Sequence, residues 1–154
     1  MKVIIGADHA GFNYKGLLVA ELRERGYEVI DLGAYNEEAD DYPDRAAEVA
    51  AALLNKQGDR GILICGSAVG VSITANKFKG IRAGVCHDTY SAHQSVEHDD
   101  INILCLGERV IGIELAKEIA LAFLNATFTN APRHERRLEK IFAIENKNMK
   151  EDIL

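Results

Sequence analysis

Gly61-Ile-Leu-Ile-Cys-Gly-Ser-Ala-Val-Gly-Val-Ser-Ile-Thr-Ala-Asn-Lys77 joins a short continuous apolar run, a tight turn between two glycines and the start of a helical period. An apolar run of that length suits a strand buried on both faces, as in a parallel sheet covered by helices. The stretch predicts a strand over 61–65, then a turn, then a helix from about 67 to 78. One thiol, Cys65, stands at the junction.

The same alternation extends in both directions. Val3–Gly6, Tyr27–Gly33, Arg82–Cys86 and Asn102–Gly107 read as four further strands. Between them, Tyr14, Leu17, Leu18 and Leu22 recur at helical spacing, as do Ala46, Val49, Ala50, Leu53 and Leu54 behind Pro43. Thr89–His98 reads as a polar helix. Ile111, Leu115, Ile119, Ala122 and Phe123 form the apolar face of a long helix, and Leu138, Ile141 and Phe142 mark another after Pro132. Five strands alternating with helices predict a three-layer α/β sandwich on a five-stranded parallel sheet with right-handed crossovers. One domain over 1–154 is expected, with a polar tail from about 147. The acidic run Glu37–Asp41 reads as a solvated connection.

The formal charge of −6, from 18 basic and 24 acidic residues, repels polyanions and argues against nucleic-acid binding. No apolar run reaches the roughly 18 residues that a membrane span needs, and the first apolar run is too short for an export signal, so no membrane partner and a cytoplasmic location are expected. Three widely spaced cysteines fit neither a disulfide framework nor a structural zinc site. Cys86 and Cys105, inside strands, read as small buried apolar residues.

In an open parallel sheet, ligands bind beyond the carboxyl ends of the strands, so Asp8–Gly11, Cys65–Gly70, His87 and Gly107–Arg109 should share one edge. Cys65 is either a buried apolar residue or a reactive thiol favoured by the adjoining helix start. Gly66–Gly70 is either a packing turn or a row of backbone donors for a phosphate or an oxyanion. Arg133 and Arg137, four apart, either form a solvated face or fork a phosphate. His98, among Glu97, Asp99 and Asp100, is either a plain surface histidine or one pushed toward protonation. No metal-binding spacing and no nucleotide loop is present.

Taken together, Gly6-x-Asp8-His9-x-Gly11, Asp41-Tyr-Pro43, Gly61–Gly66, Ala75-Asn-Lys77, Gly80-Ile-Arg82, Tyr90-Ser-Ala92, the His98 segment, Gly107-x-Arg109-Val-Ile-Gly112 and Arg133-His134 resemble the type B ribose-5-phosphate isomerase family. That family also takes in galactose-6-phosphate and related sugar-phosphate isomerases. The match runs in register to about Asn146. The resemblance implies a Rossmann-like isomerase of carbohydrate metabolism that interconverts aldose and ketose phosphates through a cis-enediolate, with no metal and no cofactor. Ribose 5-phosphate and ribulose 5-phosphate, of the pentose phosphate pathway, are the first expected pair. It implies Cys65 as the base, Ser67 as a positioning hydroxyl, and the turn through Gly66, Ala68 and Gly70 as an enediolate hole. His98 would open the sugar ring and Asp8 would bind its hydroxyls, with His9, Arg109, Arg133 and Arg137 around the substrate and its phosphate. It also implies a homodimer or a dimer of dimers with shared sites, His98 and Arg109 reaching across from the partner.

Two departures qualify that picture. Where relatives carry Thr-Gly, this chain has Ser67-Ala68, and Ala68 is expected to keep its backbone out of glycine-only angles. Asp99 replaces an Asn that donates as well as accepts. That change leaves galactose 6-phosphate, allose 6-phosphate or a tetrose phosphate as alternative substrates. A catalytically silent sugar-phosphate binder is a further alternative.

Overall fold

The computed structural model describes residues 1–149. Five strands, β1 (Lys2–Ala7), β2 (Glu28–Asp31), β3 (Arg60–Cys65), β4 (Ala83–Val85) and β5 (Ile103–Gly107), form one all-parallel sheet in the order β2-β1-β3-β5-β4. Helices α1 (Phe12–Glu24), α2 (Tyr42–Leu54), α3 (Val69–Ala75) and α4 (Thr89–Asp99) alternate with them, and α5 (Ile113–Asn125) and α6 (Pro132–Asn148) follow β5. The expected α/β sandwich is the observed one.

Side-chain alternation along the strands divides the core in two. Val3, Ile5, Ala7, Ile62, Ile64, Leu104 and Leu106 face α1, α4 and α5, where Leu18, Leu22, Val96, Ile119 and Phe123 cover them. Ile4, Leu63, Cys65, Ile103 and Cys105 face α2 and α3, under Ala46, Val49, Ala50, Val71 and Ala75. Each large side chain removed from water contributes roughly 1.5–3 kcal/mol, so the two layers fix the strands from both sides.

Several elements differ from the sequence reading. Leu17 is exposed, and the buried face of α1 takes in Lys15 together with Leu18, Val19 and Leu22. A buried ammonium needs acceptors, and Lys15 Nζ has three: Asp31 Oδ1 at 2.7 Å, Asp31 Oδ2 at 2.9 Å and Ala34 O at 2.6 Å. In α5 the covered face is Ala116, Ile119, Ala120, Phe123 and Leu124; Leu115 points outward and Ile111 precedes the helix. On α6, Leu138 is buried but Ile141 is exposed. Lys147 and Asn148, expected in a tail, complete α6, while 150–154 lie outside the described residues. Helix α3 starts at Val69, because Ala68 before it has φ 71° and ψ −14°. Ala68 thus occupies the left-handed region it was expected to avoid, a conformation costing an L-residue roughly 1–2 kcal/mol.

Candidate active site

Register brings the carboxyl ends of three strands together, with Ala7 opposite Ile64 and Cys65 opposite Gly107. The chain leaves β1 for β2 on one side while β3 lies on the other, the kind of divergence at which parallel sheets open a crevice. The residues after β5 are laced to those after β3. Glu108 N donates to Cys65 O at 2.9 Å, and Arg109 N donates to Gly66 O at 3.1 Å. This approach requires Gly107, since a Cβ there would stand 2.9 Å from the carbonyl carbon of Ser67. His87 Nε2 accepts the Gly107 N–H at 2.9 Å, and burial depresses the His87 pKa despite the opposing charge of Asp88. A neutral ring is what that acceptor role needs.

Beside the lacing opens a cleft of about 370 Å³ lined by residues 8–10, 42, 65–67, 70, 109 and 110. The Ala68 N–H, set by the left-handed turn, points at Cys65 Sγ at 3.1 Å. Burial pushes the thiols of Cys86 and Cys105 upward, which keeps them protonated and suits their reading as apolar residues. Ser67 is exposed at the rim and its Oγ accepts from Val69 N at 3.4 Å. Asp8, buried, caps the short 3₁₀ turn His9–Gly11, accepting from Ala10 N at 3.0 Å and Gly11 N at 3.2 Å. Loss of hydration raises its pKa, although the charge of His9 and the two N–H bonds oppose the rise.

A second polar group lies where α4 ends against the start of α6. The rings of His98 and His134 approach to 4.0 Å between centroids. His134 is buried and shares a 2.7 Å hydrogen bond through Nδ1 with Thr129 Oγ1, while His98 Nδ1 lies 2.8 Å from Gln94 Nε2. Burial, then the charges of His98, Arg133 and Arg137, hold the His134 pKa down. The two arginines are exposed on α6. A cationic surface of this kind on an acidic chain suits an anion.

A model of the family described as Ribose/Galactose Isomerase matches residues 3–141. The chain belongs to the ribose/galactose isomerase family. It is 51% identical over 146 residues to ribose-5-phosphate isomerase B of Escherichia coli (strain K12), spanning 95% of this chain and 97% of that protein. It is 39% identical over 148 residues to D-erythrulose-4-phosphate isomerase 2 of Mycolicibacterium smegmatis (strain ATCC 700084 / mc(2)155), spanning 94% and 97%. Among solved structures, the Clostridium thermocellum ribose-5-phosphate isomerase B superposes with a TM-score of 0.93 at 50% identity, covering 96% of this chain and 99% of that one.

Set beside its family, the chain brings together Asp8, His9, Cys65, Gly66, Ser67, Gly70 and Arg109 as lining of one cavity, with Ala68 behind the thiol. It does not bring His98, Asp99, Arg133 or Arg137 into that lining. Arg109, expected to reach across from a partner, lies in the cavity of its own chain, because its backbone is bonded to Gly66. Asp99 is exposed beside an apolar groove with Ile81, Ile141 and Phe142. Sequence reasoning missed Tyr42 as lining. The signal was available in Asp41-Tyr-Pro43, where Tyr42 opens α2 with Pro43 in its first turn and the Tyr42 ring packs against Gly70.

Proposed function

We propose that the chain is an aldose–ketose isomerase of a phosphorylated sugar, with ribose 5-phosphate and ribulose 5-phosphate as its pair. The observation that carries the reading is the Cys65 thiol in a cavity with a backbone N–H aimed at its sulfur. Membership of the isomerase family supports the substrate class.

The thiolate removes the proton from C2 of the open-chain aldose. The C–H electron pair forms the C1=C2 bond, and the electrons of the C1 carbonyl move onto its oxygen, giving a cis-enediolate. A proton passes between the two oxygens, and Cys65 returns its own to C1. Such a proton is weakly acidic, so donors on the enediolate matter as much as the base. Amides of the Ser67–Gly70 turn other than Ala68, whose N–H is on the sulfur, supply them, and one preorganised donor of this kind is worth about 3 kcal/mol. Ser67 positions the sugar and Asp8 accepts from its hydroxyls. Arg109 and His9 close over the substrate from the same chain. His98 of the partner subunit opens the sugar ring, and Arg133 and Arg137 of the partner subunit hold the phosphate, within a homodimer or a dimer of dimers. Remote phosphate binding then orients the reacting carbons.

The relative named for D-erythrulose 4-phosphate, together with Asp99, favours a second reading with a shorter sugar phosphate. A panel of four- to six-carbon sugar phosphates in deuterated water tests both. Ribose 5-phosphate should turn over fastest with deuterium entering at C1 or C2, and Cys65→Ala should abolish that exchange. Faster turnover of a tetrose phosphate would transfer the assignment to it, and undiminished exchange in Cys65→Ala would remove the base.

A further inference from the structure

The acidic connection between β2 and α2 does more than join them. Residues 37–39 and Asp41 face solvent, but Asp40 turns in against the wall of the cavity. Its Oδ1 accepts the His9 N–H at 2.7 Å and lies 3.2 Å from His9 Nδ1. Its backbone N lies 3.3 Å from the same ring nitrogen. Behind it, Arg45 Nε donates to Asp40 Oδ2 at 2.9 Å, and Arg45 Nη1 donates to Glu48 Oε2 at 3.2 Å. Burial pushes the Asp40 carboxyl upward, but the bonds from Arg45 and His9 outweigh it and hold the group below its ordinary range.

One residue therefore offers His9 Nδ1 both an acceptor and a donor. When Nδ1 carries a proton, Oδ1 accepts it; when Nδ1 is bare, the Asp40 N–H donates to it. In either state Nδ1 is engaged outside the cavity, and Nε2 is the ring atom left for a ligand. Fixing the ring in advance removes an ordering cost from binding.

We propose that Asp40, braced by Arg45, is a positioning residue that holds the His9 imidazole with Nε2 presented to the phosphorylated substrate. The proposal rests on the isomerase reading. It makes His9 a group that binds substrate and transition state alike, so its loss falls on KM rather than on kcat.

The test is a double-mutant cycle with ribose 5-phosphate, accompanied by ¹⁵N NMR of the His9 ring in the ligand-free protein. Asp40→Ala should raise KM about fivefold to tenfold with kcat within about twofold. In a His9→Ala background the same change should add nothing. Asp40→Asn, which keeps an oxygen for the His9 amide, should give a smaller rise that also vanishes without His9, and it carries the cycle if Asp40→Ala does not fold. In the spectra, the His9 ring nitrogens should move toward solvent-averaged values on loss of the Asp40 carboxylate. Additive effects on KM, or ring resonances indifferent to Asp40, would overturn the proposal. A wild-type chain that turns over no sugar phosphate would sink the isomerase reading instead, with the ring resonances still deciding whether Asp40 sets His9.

Discussion

Around Cys65 the polar groups belong to strand ends and tight turns bonded to one another through the backbone, whereas His98, Arg133 and Arg137 stand on the flanks of two helices. The first region has its donors committed before any ligand arrives: Ala68 N to the sulfur, Glu108 N and Arg109 N to the β3 exit, Asp40 and Arg45 behind His9. In the second, the arginines are exposed, and among the described residues neither makes an ion pair. A backbone held fixed in this way suits charge that develops during a reaction, while long exposed cations suit a charge the ligand already carries. The apolar surface of α6 belongs to the same contrast, since Ile141 and Ile144 are exposed where a single chain leaves them uncovered.

The sharpest way to break this division is to separate its two parts between chains. Mixed Cys65→Ala and His98→Ala subunits should regain about a quarter of wild-type activity, since half of randomly paired dimers carry one complete shared site out of two. No recovery, with mixed dimers shown by mass spectrometry, would confine each site to one chain. A smaller effect is expected from Arg137→Ala. Loss of one charged phosphate contact should raise KM about tenfold to a hundredfold, with exchange chemistry at saturation little changed. An equal fall in kcat would place Arg137 on the reacting side of the comparison. The smallest effect concerns the turn itself. Ala68→Gly should raise the unfolding free energy in urea by about 0.5–1 kcal/mol, because glycine takes the left-handed angles without penalty. Ala75→Gly, in the helix beyond, should lower it by a similar amount. A loss at both positions would mean that the strain at Ala68 is offset by its buried methyl.

What the sequence made legible follows the same line. The central strands β1, β3 and β5 are buried on both faces and announce themselves as apolar runs, and Cys65 with its glycine turn came with them; the half-buried edge strands β2 and β4 were readable from shorter apolar segments between turn residues. Helix faces were read less well where a polar residue is buried by pairing, as Lys15 is with Asp31, because periodicity counts apolar residues and cannot see a partner elsewhere in the chain. Asp40 was hidden for the same reason. Its meaning lies in His9 and Arg45, and an acidic run by itself reads as solvated. Ala68 shows a different limit, since a side chain compatible with many backbones does not disclose that a neighbouring sulfur and a helix start impose a rare one.

Glu108 ties these distances together. Its side-chain Oε2 accepts from Tyr14 N at 3.0 Å, joining the start of α1 to the exit of β5 across 94 positions of sequence. The cavity lining itself runs from Asp8 to Val110. With β5 inserted between β3 and β4, no fragment ending before Arg109 contains the pocket, and its closure belongs among the slow, non-local events of folding. During synthesis the base would exist long before the walls that make it useful, and the thiol would meet its substrate only after more than two thirds of the chain had found its place.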